Sequence, residues 1–166
     1  MSKAFTSEET PDASIVGRTV RRAEPGAERP ITAEGHRALG AELRRLTQEE
    51  RPRLRGLRDP LEREPKLAEL DHRIALLEAT LASVRVVEAA GAAAHGVRFG
   101  SRVTIEWEGG RRQRIQLVGP DEADAREGRV SSESPLARSL MGRIVGEEVE
   151  IELPRGVDSA TILAVE

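Results

Sequence analysis

The sequence predicts an α+β protein. An N-terminal antiparallel α-helical coiled-coil hairpin is followed by a small antiparallel β-domain with one short helix. Three observations carry this reading. Apolar residues recur at three- and four-residue spacing from Leu39 to Val84. From Arg102 onward the period falls to two. Between them lies Ala89-Ala90-Gly91-Ala92-Ala93-Ala94, a run of small residues with neither period, which reads as a hinge.

Residues 1–30 are rich in Ser, Thr, Glu, Asp, Arg and Pro and show no apolar period, so they read as a flexible tail. Arg18, Arg21 and Arg22 form a basic cluster within it that admits two readings, contact with RNA or a protein partner, or a solvated tail, the second being preferred. Residues 31–90 form the hairpin. Thr32 is placed as an N-cap, and Leu39, Leu43 and Leu46 come after it in 4–3 spacing. Leu54 and Leu57 continue less regularly. In the second arm, Leu67, Leu70, Ile74, Leu77, Leu81 and Val84 step as an a/d seam. Proline disfavours helix at the residue before it, so Asp59-Pro60 and Glu64-Pro65 put the turn near residues 58–66. Pro52 falls inside the first arm and is expected to bend it.

Residues 91–166 form the β-domain. Arg102–Trp107 and Arg114–Val118 alternate around a Gly109-Gly110 turn, and further strands are expected at Arg129–Ser132, Glu147–Leu153 and Ala160–Val165. The helix is expected at Pro135–Met141, because Ser134 suits an N-cap, Pro135 the first helical position and Gly142 the stop.

Composition narrows the function. With 33% charged and 2% aromatic residues, the core must be built from Leu, Val, Ile and Ala; Phe5, Phe99 and Trp107 are the aromatics. A net charge of −3 lacks the basic excess that holds duplex DNA through many phosphates, so nonspecific DNA binding is not the expected main role. The absence of cysteine excludes disulfides, a thiol nucleophile and Cys-based metal sites, and fits a reducing compartment. No signal pattern and no long apolar run occur, so a soluble cytoplasmic protein with no membrane partner is expected.

His36, His72 and His95 lack metal-ligand spacing, and there is no phosphate loop or Ser/His/Asp arrangement. Neither intrinsic enzyme activity nor a bound metal or cofactor is expected. Asp59, Glu62 and Glu64 in the turn admit two readings: a metal-holding acidic tip, or an ordinary acidic turn favoured by a helix N-terminus. Arg51, Arg53, Arg55 and Arg58 also admit two. They contact RNA phosphates or an acidic protein surface, or they form a solvated face balanced by Glu62, Glu64 and Glu69.

From Ile31 to the C-terminus the chain resembles the bacterial Gre transcript-cleavage factors, the GreA/GreB family. The first arm, ITAEGHRALGAELRRL, carries the resemblance weakly, and the second half carries it strongly. There the ordered elements are Phe99-Gly100, Val118-Gly119, Asp121-Glu122-Ala123-Asp124, Ser134-Pro135-Leu136-Ala137-Arg138, Leu140, Gly142 and Val145-Gly146. The resemblance implies an FKBP-like C-terminal domain that docks at the secondary channel of bacterial RNA polymerase, near the RNA and DNA of the elongation complex. It implies polymerase contacts at Ser134, Pro135, Leu136, Ala137 and Arg138 and at Asp121, Glu122 and Asp124. Helix capping for the first group and a solvated acidic turn for the second remain the alternatives.

In that family the hairpin tip presents Asp-Leu-x-x-Glu-Asn-Ala, whose carboxylates help hold the second Mg²⁺ of the polymerase active centre. This sequence has no such motif. Its hairpin is about a dozen residues shorter, which at 1.5 Å per residue over two arms withdraws the tip by roughly 10 Å. The expectation is a monomeric factor that binds polymerase and modulates elongation without stimulating cleavage, any Mg²⁺ being the polymerase's own. Two alternatives stay open: cleavage stimulation through Asp59, Glu62 and Glu64, and a coiled-coil interaction protein unrelated to transcription. Prolyl isomerase activity, which the FKBP-like fold also suggests, needs an aromatic-lined pocket that a chain with one Trp and no Tyr does not supply.

Overall fold

The computed structural model describes residues 28–88, 96–154 and 156–166. The expected tail up to residue 27 and the hinge at 89–94 lie outside the described residues, as do Phe5, Arg18, Arg21, Arg22 and His95. The chain is α+β, a helical part followed by a β-sheet part.

A short strand, β1 (Arg29–Ile31), opens the described chain and pairs in parallel with β2 (Val84–Val86), Ile31 opposite Val86. This corrects the sequence reading at two places. Arg29 and Pro30 belong to a strand rather than the tail, and Val84 lies in β2 rather than in the helical seam. The β-branched Val84 and Val86 favour extended backbone, and Pro30, with no N–H to give, is tolerated in a strand with a free edge.

Thr32 caps α1 (Ala33–Arg45) as expected: its backbone is extended and its hydroxyl accepts from the Gly35 N–H at 2.9 Å. A turn of π-helix (Leu46–Glu50) then leads into α2 (Arg51–Arg55). Pro52 explains it. In a continuous α-helix its ring would collide with the carbonyl four residues back. The wider turn relieves this, and the Arg51 N–H reaches the Leu46 carbonyl five residues back.

The chain reverses at residues 56–59, a tighter turn than expected. Asp59 caps α3 (Pro60–Ser83) by accepting from the Leu61 N–H at 2.9 Å. Pro60 occupies the first helical turn, where a missing N–H costs nothing. Pro65 lies inside the helix, giving up the bond to Leu61 but not ending it. Glu62 and Glu64 are therefore helical residues, not turn residues. Both α1 and α2 pack on α3 around buried Leu46, Leu70 and Ile74, with Leu43, Leu54 and Leu77 against them.

Ion pairs from Arg51 to Asp71 (3.0 Å) and from Arg73 to Glu42 (2.7 Å) join the two arms. The hydrogen bond from Arg45, aided by the charges of Arg45 and Arg73, holds the Glu42 carboxyl below its usual range. A lowered carboxylate pKa contributes stability above the unfolded value and loses it as pH falls through the folded one. A Glu42→Gln variant is therefore expected to lose under about 1 kcal/mol at neutral pH, because the site is largely solvent-screened. Urea titrations at successive pH values should show this loss shrinking as the solution is acidified.

The second part is a five-stranded sheet in the order β5-β4-β3-β7-β6. Its strands are β3 (Arg102–Trp107), β4 (Arg112–Val118), β5 (Arg129–Ser131), β6 (Glu148–Leu153) and β7 (Gly156–Val165). The β3–β4 hairpin and the β3–β7 and β6–β7 pairings are antiparallel. The β4–β5 pairing is parallel, Gln116 opposite Arg129, so the sheet is mixed rather than wholly antiparallel. The reason is the loop after β4. Two 3₁₀ turns, Pro120–Glu122 and Ala125–Glu127, carry the chain back from the end of β4 to the level of Gln116, so that β5 runs alongside in the same direction.

One face of the sheet is apolar: Val103, Ile105, Trp107, Ile115, Leu117, Val149, Ile151, Ala160 and Ile162 are buried. Helix α4 (Pro135–Leu140) covers it with Leu136, Ala137 and Leu140. The Trp107 indole donates to Gln113 Oε1 at 3.1 Å. Among the described residues no helix is long and apolar enough to cross a membrane.

Candidate functional site

Three regions carry the residues singled out by sequence: the joint between arm and β-domain, the edge of α4, and the arm tip. At the joint, β1 packs against the Pro120–Glu122 turn. Glu122 is only 6% exposed. Its Oε1 accepts from the Gly119 N–H (2.9 Å) and the Thr32 N–H (2.8 Å), while the Thr32 hydroxyl donates to Oε2 (2.6 Å). Beside it Asp121 faces Arg29 at 2.8 Å. Burial raises the Asp121 carboxyl above its usual range, against the opposing pull of Arg29. Asp124 accepts from the Arg126 N–H at 2.9 Å and lies 3.8 Å from Arg129.

For Glu122 both expectations are therefore corrected, since a carboxylate buried and held by three donors within the fold is neither a solvated acid nor a surface contact for polymerase; Asp124 stays partly exposed. Glu122 faces the arm, and Asp121 is half-buried against it, because the turn that carries them closes on β1. The sequence held part of the signal. Gly119-Pro120-Asp121-Glu122 has an acid three residues past a cap position, the spacing that lets a side chain reach back to the cap N–H. The other partner, Thr32, is 90 residues away in sequence.

At the second region, the Ser134 hydroxyl accepts from the Ala137 N–H at 3.1 Å and so caps α4. Ser134, Leu136 and Ala137 are buried; Pro135 and Arg138 are exposed. Of the five predicted contact residues, these two present their side chains outward. Sequence reasoning missed the loop just beyond α4. There Met141, Ile144 and Val145 are 41%, 56% and 54% exposed. They adjoin Gly142 and Gly146, both at positive φ, and the signal available was three large apolar residues in a glycine-bearing loop.

At the tip, Asp59 is committed to its cap, Glu62 pairs with Lys66, and Glu64 lies 3.1 Å from Arg63. Arg51 is held by Asp71, and Arg53 is 3.9 Å from Glu50. Among the described residues Arg55 and Arg58 form no ion pair, and both are exposed. Leu61 is 86% exposed. No group of three or more His, Asp or Glu side chains among the described residues is placed to hold a metal ion. His36 is half-buried on α1 and His72 exposed on α3.

The architecture defines a two-part protein, a helical arm clasped at its base to a mixed-sheet domain. Residues 92–166 match the family described as "Transcription elongation factor, GreA/GreB, C-term". Transcription elongation factor GreA of Caulobacter sp. (strain K31) is 35% identical over 151 residues, spanning 82% of this chain and 96% of that one. Transcription elongation factor GreB of Xanthomonas axonopodis pv. citri (strain 306) is 38% identical over 150 residues, spanning 82% and 89%. Among solved structures, GreA factor homolog 1 (Gfh1) of Thermus thermophilus aligns with a TM-score of 0.40 at 23% identity, covering 84% and 99% of the two chains. The chain belongs to the GreA/GreB family of transcription elongation factors.

Proposed function

We propose that this protein binds bacterial RNA polymerase at its secondary channel and modulates elongation without stimulating transcript cleavage. Family membership supports the partner. The arm tip carries the second half of the reading: its acids are spent within the fold, Asp59 on the α3 cap, Glu62 on Lys66 and Glu64 on Arg63. The motif with which the family's hairpin tip helps hold Mg²⁺ is absent from this sequence, and the acids that stand here are exposed side chains engaged in local contacts that an ion would have to displace. On this reading the paired helices form a shortened antiparallel coiled coil. The β-domain docks through Pro135 and Arg138, with Met141, Ile144 and Val145 adjoining. The protein works in the cytoplasm as a monomer, and Arg55 and Arg58 approach nucleic acid or an acidic channel wall.

Backtracked elongation complexes test this. Adding the protein is expected to leave the rate of RNA shortening at that of polymerase alone, and to slow shortening when GreA is also present. Faster shortening that is lost on replacing Asp59, Glu62 and Glu64 with alanine would overturn the second half. Failure to co-migrate with core polymerase would overturn the first.

A further inference from the structure

We infer that Glu122 is a positioning residue that sets the direction of the helical arm relative to the β-domain. Its buried carboxylate joins the two. Two of its three donors, the Thr32 N–H and hydroxyl, belong to the base of the arm, and the third, the Gly119 N–H, belongs to the domain. Thr32 is also the cap of α1, so the same hydroxyl that donates to Glu122 accepts from the Gly35 N–H. The carboxylate thus sits at the positive end of α1, where negative charge is favoured.

The approach is so close that side chains are excluded on both sides. A Cβ on Gly35 would lie 1.8 Å from Glu122 Oε2, and a Cβ on Gly119 would lie 2.0 Å from the Pro30 carbonyl oxygen. Two outer ion pairs flank this contact: Arg29 with Asp121, which is half-buried and supports the same joint, and Arg102 with Glu34 (3.2 Å), an exposed pair of the kind that holds little.

Leverage makes the contact matter. The arm from Ala33 to Arg55 is about 35 Å long at 1.5 Å per residue, so a swing of roughly 10° at its base displaces the tip by about 6 Å. Hydrogen-bond geometry is the main requirement, and charge at the α1 end adds to it. In Glu122→Gln the amide oxygen still accepts from both N–H groups, and the amide nitrogen donates to the Thr32 oxygen, which has a second lone pair, while the Thr32 hydroxyl proton turns away. In Glu122→Ala both N–H groups are left buried without acceptors.

The absence of native cysteine allows nitroxide labels to be placed at introduced cysteines in the exposed positions Arg58 and Glu108. Pulsed electron resonance distances in the full chain should give one narrow distribution for the parent. Glu122→Gln should reproduce it. Glu122→Ala should broaden it at least twofold or move its mean by several ångströms. Thr32→Val and Gly35→Ala should do the same, which keeps the test decisive if the alanine variant folds poorly. An unchanged distribution in Glu122→Ala, or in both of the other two variants, overturns the proposal, as does a Glu122→Gln variant as disordered as the alanine one.

The transcription readout rests on the proposed function. There, Glu122→Ala should keep its affinity for core polymerase within about twofold but lose the slowing of GreA-stimulated shortening, and Glu122→Gln should restore it. Retained slowing in a variant with a broadened distance distribution would overturn the link from arm direction to activity. Absence of polymerase binding by the parent would sink the functional reading and leave the distance result standing.

Discussion

Exchanging Pro135 and Arg138 together for glutamate is expected to weaken binding to core RNA polymerase by at least tenfold. Both side chains stand on the exposed edge of α4, while Leu136, Ala137 and Leu140 on the same helix point into the core. The exchange removes one positive charge and adds two negative ones at the surface proposed to meet polymerase, where like-charge juxtaposition costs several kcal/mol. Folding should change little. Glutamate at the first position of a helix is favoured by the dipole, and glutamate in the last turn is disfavoured by a comparable amount, about 0.3–1 kcal/mol each. Anisotropy of the labelled protein titrated with core polymerase measures the first effect. Urea unfolding followed by the fluorescence of Trp107, the sole tryptophan, measures the second. A Ser134→Ala variant would be a poorer probe, since it removes the cap of α4 and so mixes folding with binding.

Leu140→Ala is the substitution expected to harm the fold most directly at this site. Leu140 is fully buried and closes α4 onto the sheet. Large-to-small changes in such positions cost about 2–5 kcal/mol, the lost burial plus the cavity left behind. The urea midpoint read from Trp107 should fall accordingly, and polymerase affinity should fall with it because α4 loses its seat. An unfolding midpoint within experimental error of the parent would show that α4 is not integral to the core.

The sequence was most readable where one element answers one local rule. Val103, Ile105 and Trp107 alternate, and all three are buried on one face of β3. Leu70 and Ile74 are four residues apart, and both are buried on α3. Ser134 and Pro135 give the start of α4. Reading failed where two local rules compete or where the partner is remote. Proline at position 65 argues for a turn, but Asp59 and Pro60 had already started the helix, and the loss of one bond in its second turn does not stop it. Three residues ending in Ile31 carry too little pattern to announce a strand, and β1 exists because β2 lies beside it. Glu122 looked like a surface acid because its main partner, Thr32, is supplied by the other end of the chain. The burial of Leu136 and Ala137 and the exposure of Pro135 and Arg138 required knowing which side of α4 meets the sheet.

The π-helical turn at Leu46–Glu50 acts on the arm as a phase shifter. It is equivalent to one inserted residue, and each residue of an α-helix advances the azimuth by about 100°. The helical residues Arg51 to Arg55 are rotated by roughly that angle from where a continuous α1 would have presented them. The base of the arm and its tip are therefore clocked separately: the stem keeps its seat on the domain while the distal face is turned to another heading. Pro52, which made the wider turn necessary, thereby determines which side chains the tip presents to whatever lies ahead of it.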